Sequence, residues 1–443
     1  ASEWSGRRSG QAFQEVFVSV GEAPSAQANP GEFNKVRAFQ TANLAEQPGG
    51  ATFLPSPTPN PETLDAQSTD EGEMRLRVIE TDPSADPRWD GFVKSHPRGL
   101  IYHHSLWLAA LRKEFGQKAL SLACVDENNE FKGIFPLLYT RGLPFRLRRI
   151  GRHFTGRRLA SLPRTPVAGP LSNSPGAERV LLLEAARRAK ESPGTTVQIK
   201  TDTNCLADVP DGMKGAFWRN SYVLNLPGET GSKVRFGNAK EHHKVAWAVN
   251  RGLRLGVKVR EAKNEEDLAE WYRLYLATMR RVVALPRPYH FFEELWRKMR
   301  PQEMMKLLLA EKAGAGGVQM LAGSVFLSYG STVHYAFTGC NALAFATHAN
   351  DLLQWEAIHA ASKEGFRYYD FGEVVEHRPE LARFKLKWCA TTVPLYRYHF
   401  PTADSLETRA AVEPLNFAWV REIWQCLPLV MTRSFGSRIF GRL

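Results

Sequence analysis

Between Arg383 and Trp388 the chain reads Arg-Phe-Lys-Leu-Lys-Trp. Three cations alternate with three apolar side chains, so the apolar set can bury while the cations are held beside a neighbouring strand. That arrangement suits a phosphate-bearing ligand, although ordinary surface charge on an amphipathic turn produces the same pattern. Just upstream, Asp370-Phe371-Gly372 copies three residues of a protein kinase signature. No glycine-rich loop, strand lysine or catalytic loop precedes it, and the kinase reading fails. His103-His104 invites a metal, yet no carboxylate or cysteine stands at ligand spacing, which favours a structural or capping role. Residues 141–164 hold eight arginines with only Phe145 and Phe154 among them. A phosphate-binding or membrane-facing patch fits this better than a stacking platform for single-stranded nucleic acid, and a plain solvated face fits equally well.

Composition narrows the setting. Five cysteines are scattered through 443 residues without paired spacing, which argues against a disulfide framework or a zinc site and for a reducing compartment. No apolar run approaches the roughly 18 residues that span a bilayer, and the N-terminus lacks a signal-peptide pattern. The net charge is +12, yet residues 1–74 carry ten acidic and four basic side chains, so the body beyond them is more basic still. A basic body implies a polyanionic or phosphorylated partner, or a membrane surface.

These candidate residues need elements to position them. Residues 1–74 are rich in Pro, Gly, Ala, Ser and Gln without apolar periodicity and are expected to be disordered. Order begins with a strand over 75–80 and a helix through Trp89, Phe92 and Val93, then a helix after Ser105 carrying Trp107 and Leu111. A hairpin follows, 119–125 and 131–139. A comparable hairpin recurs over 305–313 and 318–329, joined by the turn Gly314-Ala315-Gly316-Gly317. Each hairpin follows a helical segment holding a tryptophan and precedes a further strand and a long helix, as two copies of one α/β domain would. Residues 240–255 read as a helix with a basic face that includes Lys244, Arg251 and Arg254. Asn264 caps a helix over 265–283, and Pro288 starts another. Asn350 is expected to cap a helix over 351–364, with Trp355 and Glu356 near its cap-side turns. Strands are expected over 366–371 and 392–400, the latter with Leu395, Arg397 and His399 on one face and Tyr396, Tyr398 and Phe400 on the other. Residues 415–443 mix aromatic and basic side chains and suit a membrane interface or a docked position on the body.

The order Tyr-Asp-Phe-Gly, charged loop, Phe-Lys-x-x-Trp and closing aromatic strand resembles the FemAB/FemX-like family. The likeness runs upstream through Asn350-Asp351-Leu352-Leu353-Gln354-Trp355-Glu356-Ala357-Ile358 and back to Trp89. It implies an α/β protein of two tandem GNAT-like (acyl-CoA N-acyltransferase) domains, over 75–225 and 226–402, with a disordered tail (1–74) and a basic amphipathic C-terminal segment (403–443). It implies an acyltransferase, with no permanently bound cofactor, whose co-substrate is an aminoacyl-tRNA or an acyl-CoA. The acceptor would be an amine of a phosphorylated or lipid-linked envelope precursor, of peptidoglycan or exopolysaccharide. The usual coenzyme A turn before a helix has no convincing copy in either half, which favours the tRNA donor. The family's lysine falls on Lys385, against the acceptor's phosphates, and its strand aspartate on Asp370. Tyr335 is placed to reach the reacting carbonyl, with Arg383 and Lys387 as supporting cations. Lys244, Arg254, Asn350, Trp355 and Glu356 would contact substrate, and the loop Ala284-Leu285-Pro286-Arg287 would line the acceptor groove. No metal is expected. Cys389 stands where relatives have Gly, and His242-His243 interrupt the family's basic run.

Two rival readings remain at this stage. One is a coenzyme A-dependent N-acetyltransferase, and the other a non-catalytic basic membrane- or nucleic-acid-binding protein on a transferase scaffold. The expected location is the cytoplasm, with peripheral contact at the inner face of the membrane through 415–443.

Overall fold

The computed structural model describes residues 75–401 apart from 116–118, 141–156, 204–205, 207–208, 228–233 and 377, together with residues 425, 426, 428, 429 and 431. The tail over 1–74, most of the segment 403–443 and the arginines from Arg141 to Arg152 lie outside these residues.

Alternating apolar stretches and short turns build the first half. Strand β1 (Arg77–Glu80) is followed by α1 (Pro87–Ser95), whose N-terminus is capped by Asp86 accepting from the Arg88 N–H. Helix α2 (Ser105–Phe115) starts where the Asp90 carboxylate accepts from both the N–H and the hydroxyl of Ser105. The hairpin β2 (Ala119–Val125) and β3 (Phe131–Thr140) is followed by β4 (Arg157–Ala160) and by a short β5 (Leu171–Ser172) beside β3. Helix α3 (Pro175–Glu191), capped by Ser174, then leads into β6 (Thr195–Thr201) and β7 (Lys214–Asn225).

The second half repeats the pattern. Helix α4 (Ala239–Arg254) opens with a capping box of Asn238 and Glu241. Strand β8 (Val257–Glu261), α5 (Glu265–Arg281, capped by Asn264) and α6 (Tyr289–Lys298) precede the hairpin β9 (Met305–Gly314) and β10 (Gly317–Tyr329). Strand β11 (Thr332–Cys340), the short α7 (Leu343–Ala346), α8 (Ala349–Lys363), β12 (Tyr368–Val374), α9 (Pro379–Leu386) and β13 (Thr391–Phe400) complete it.

The strand order is β1-β2-β3-β4-β6-β13-β7-β12-β11-β10-β9-β8. Read inward from either edge it is the same sequence of elements, and the two central strands are exchanged. The last strand of the first half, β7, pairs with β12 of the second, and β13 pairs with β6 of the first. The duplication expected from the paired hairpins is thus a tandem α/β fold closed by strand exchange. On one face, α1 and α2 meet α5 and α6 in a shared core containing Trp89, Trp107, Trp271, Phe291 and Phe292. Gly339 permits the approach of α5 to β11, since an added Cβ would stand 2.4 Å from the Tyr275 nitrogen. On the opposite face, α3 covers the first half and α4 and α8 the second.

Four local expectations are corrected. The strand expected over 366–371 runs from Tyr368 to Val374, because Gly372 takes a left-handed φ of 77° and carries the strand past the glycine. Within the stretch 383–388, residues 383–386 are not an interleaved turn but the last turn of α9, and helical spacing buries Lys385 while leaving Leu386 exposed. Asn350 does not cap α8; His348, at a φ of 53°, precedes the first helical residue Ala349. The alternation in β13 is broken by a bulge between Leu395 and Tyr396 against β7, so Leu395, Tyr398 and Phe400 are all buried.

Candidate active site

Strands β11 and β12 run parallel but pair through only three positions, Thr332 with Tyr368, Val333 with Tyr369 and His334 with Asp370. Beyond them β12 follows β7 and β11 follows β10, so a gap opens between the two strands. A parallel pair that parts in mid-sheet exposes backbone groups that a ligand can engage.

The last pair before the gap is charged. The His334 Nδ1 lies 3.2 Å from Asp370 Oδ2, while Asp370 Oδ1 accepts from the Ser221 hydroxyl at 2.9 Å and the Gly372 N–H at 2.7 Å. Burial would raise the Asp370 carboxyl, but His334, the Gly372 N–H and Ser221 hold it below the usual carboxylate range. The remaining imidazole nitrogen, Nε2, is buried with no hydrogen-bond partner among the described residues, and the ring lies 5.1 Å from that of Tyr102 in the first half.

Helix α9 brings Lys385 to the same place. Its Nζ donates to the carbonyls of Gly372, at 2.7 Å, and Glu373, at 3.1 Å, and sits 5.6 Å from the Tyr222 ring centre. Burial lowers the amine to about 8, with the Asp370 and Glu373 charges pulling it back up. An ammonium has three N–H groups; among the described residues two are used here, and the third is available to a developing oxyanion or a phosphate oxygen.

Glu373 joins this group to a second cluster, built largely by the first half. Its Oε1 accepts from Arg219 at 3.0 Å and its Oε2 is buried with no hydrogen-bond partner among the described residues. Trp218 carries three cations on its ring, Arg397 at 3.9 Å, Arg219 at 4.4 Å and Lys200 at 5.9 Å. Lys200 donates to the carbonyls of Leu162, at 3.0 Å, and Thr165, and is lowered to about 7, by burial first and then by the Arg397, Arg287 and Arg219 charges against the pull of Glu373. Burial also lowers Arg397, to about 10. Cations concentrated in so little solvent make a strong anion site.

The residues singled out in the sequence are divided by the fold. Lys385 and Asp370 come together. Tyr335 lies on the other face of β11 from His334, against Phe326 and Phe371, with its phenol raised to about 12 by burial. Lys387 pairs with Asp351 of α8, and Arg383 is exposed. Lys244 and Arg254 project from the exposed side of α4, and Glu356 is exposed on α8. Trp355 stands 4.2 Å from His359 and lines, with His242, His243 and Arg235, an open cavity of about 790 Å³ that contains none of Lys385, Asp370 or Glu373. Asn350 is a half-buried residue in the first turn of α8.

Arg287, expected in the acceptor groove, is instead a buried tie between the halves. It pairs with Glu114 of α2, donates to the Arg164 carbonyl at 2.9 Å and stacks 4.4 Å over Phe291. The paired histidines are structural: the His103 Nε2 meets the Gly169 carbonyl at 3.0 Å, and burial lowers this imidazole to about 4.

Sequence reasoning missed His334, Glu373, Lys200, Arg219 and Arg397. Lys200 carried a signal, as a lysine at the inner end of the β-branched stretch Thr195-Thr196-Val197-Gln198-Ile199. Glu373, Arg219 and Arg397 depend on strand exchange, and His334 on the long-range pairing of β11 with β12, each bringing residues far apart in sequence to one place.

Residues 239–385 match the Acetyltransferase (GNAT) domain family. Among solved structures the chain is similar to FemX, at 17% identity with a TM-score of 0.53, over 72% of this chain and 96% of that one. It is also matched to the L-PGS from Bacillus licheniformis, at 11% identity with a TM-score of 0.46, over 82% and 99% of the two chains. A tandem GNAT protein from the clavulanic acid biosynthesis pathway matches at 11% identity with a TM-score of 0.43, over 73% and 98%. No curated protein sequence matches the chain.

Proposed function

We propose that the chain, whose residues 239–385 match a GNAT acetyltransferase domain and whose fold is similar to that of FemX, moves an acyl or aminoacyl group onto an amine of a phosphorylated cell-envelope precursor. The observation that carries the proposal is Lys385, a buried amine held by two backbone carbonyls of β12 beside the gap between β11 and β12.

The acceptor amine attacks the carbonyl carbon of an ester or thioester. A C–N bond forms, the C–O or C–S bond to the donor's carrier breaks, and the amine loses a proton. The free N–H of Lys385 stabilises the oxyanion that develops on the carbonyl, a contribution typically of about 2.7–4 kcal/mol for one such donor. The unpartnered Oε2 of Glu373 is assigned to receive the proton. Asp370 positions the backbone of this turn through the Gly372 N–H, and the cations around Trp218 hold the acceptor's phosphates. Attack on an activated acyl group is intrinsically facile, so positioning and electrostatics supply most of the rate.

Two donors fit the fold. An acyl-CoA is the donor that a GNAT domain implies. An aminoacyl-tRNA is favoured by the connection from β11 to α8, residues 341–348, which contains no glycine and folds into α7 rather than into an open amide turn for a pyrophosphate. The test is to mix the full chain with labelled acetyl-CoA or with charged tRNA and follow transfer to muropeptide precursors by mass spectrometry. Transfer from either donor that Lys385→Ala abolishes supports the reading and names the donor. Transfer from neither, or undiminished transfer by Lys385→Ala, overturns it.

A further inference from the structure

One end of the second half gathers exposed apolar side chains from several elements. The turn between β9 and β10 lies there, with Val318 69% exposed just after it. Asn341 holds the start of α7 beside this hairpin, its N–H donating to the Leu321 carbonyl and its side chain to that of Met320. From α7 project Phe345 and Leu343, 60% and 50% exposed. Helix α4 ends at the same place: Gly252 lies so close that an added Cβ would stand 3.2 Å from the Thr347 carbonyl oxygen. It brings Leu253, 51% exposed, and Trp247, whose ring is 5.5 Å from His348.

Cations are set among these side chains. The Arg281 guanidinium lies 5.0 Å over the Phe345 ring and that of Arg251 5.8 Å over the Trp247 ring. Arg281 donates to the carbonyl and sulfur of Cys340, and Arg254 to the Asn250 carbonyl, so both rest on neutral acceptors. The apolar tips come from three separate elements, and two of them, Phe345 and Trp247, lie beneath a guanidinium. They match a layered partner with apolar material beneath an anionic surface.

We propose that this end of the molecule docks on a lipid bilayer bearing anionic headgroups, with Val318, Leu343, Phe345, Leu253 and Trp247 entering the interface and Arg251, Arg254 and Arg281 meeting phosphates. The gap between β11 and β12 widens toward Cys340, which lies at this same end. On the transferase reading, docking would present the site to an amine acceptor held in the membrane. Gln425 donates to the Arg281 carbonyl at 3.1 Å and so lies beside this face.

The experiment is co-sedimentation of the full chain with vesicles of phosphatidylcholine alone or mixed equally with phosphatidylglycerol. The protein is expected to bind the mixed vesicles, less so at high salt. Leu343→Ser/Phe345→Ser should lower the partition coefficient about tenfold, and Leu253→Ser/Val318→Ser, on other elements, about fivefold. Leu183→Ser, exposed on α3 away from this end, should leave it unchanged, and unaltered melting curves would show that the variants fold. Failure of the wild type to bind anionic vesicles, or wild-type binding by both double variants, overturns the proposal. A loss of self-association in the variants with vesicle binding intact would also overturn it, in favour of a second copy on this face. Transfer to a water-soluble acceptor should be unaffected by these substitutions. If no acceptor is ever modified yet vesicle binding depends on this face, the docking surface stands and the transferase reading falls.

Discussion

Two buried lysines share the charge of Glu373 and differ in instructive ways. Lys200, on β6, and Lys385, on α9, each donate to two backbone carbonyls. Burial lowers both amines. Lys385 has two carboxylates in range, Asp370 and Glu373, and stays near 8, whereas Lys200 has Glu373 alone against three guanidiniums and falls to about 7. Burial is the first cause at both sites, and the neighbouring charges oppose it more at Lys385 than at Lys200. The carboxylates beside Lys385 favour its charged form, suited to an oxyanion, while the guanidiniums beside Lys200 disfavour its charge, which an arriving phosphate would restore.

The largest expected effect separates the two by substitution. Lys385→Ala should cut transfer by about 10²–10³-fold with the fold retained. Lys200→Met should weaken acceptor binding more than turnover and leave stability near that of the wild type, since replacing a buried charge by an apolar side chain of similar volume is often neutral. Steady-state kinetics with urea denaturation checks both. Second, a rate that needs charged Lys385 should fall as pH rises through about 8, approaching about tenfold per unit above it. Asp370→Asn removes one of the charges that hold the amine up, so its alkaline limb should move to lower pH; an unmoved limb would break the link between the two residues. Third, Lys200 makes stability depend on pH. Its folded value, about 7, lies below the roughly 10.4 of an unfolded lysine. Between these the unfolded chain binds more protons, and stability should rise with pH. Lys200→Met should flatten that rise in denaturant titrations. The smallest effect concerns Cys389, whose φ of 60° lies in the left-handed region. Cys389→Gly should stabilise the protein by about 1 kcal/mol, read as a higher melting temperature, with transfer nearly unchanged.

Much of the architecture was legible because it is local. The hairpins at 119–140 and 305–329, the caps Asn264 and Pro288, and the repeated order of helices and strands follow from periodicity and turn chemistry. Cys389 was visible as a departure from glycine, and its backbone retains the glycine conformation. In the site, Lys385 and Asp370 could be found because one motif holds both. Glu373 and Arg219 are 154 positions apart, and Lys200 and Arg397 meet only as partners in β6 and β13. Pairing at that range leaves no trace in local periodicity. Arg287 misled for a related reason, since its partner Glu114 lies in the other half.

The exchange of β7 and β13 also sets an order of assembly. The first-half sheet is finished on its inner side by residues 396–400, which pair with 197–201. A chain growing from its N-terminus carries an open edge at β6 until residue 400 has emerged, and such an edge invites pairing with other chains. Contacts of this sequence separation also slow folding. The two halves resemble each other in fold, yet neither closes its own sheet, and synthesis must run almost to the end of the described chain before either can.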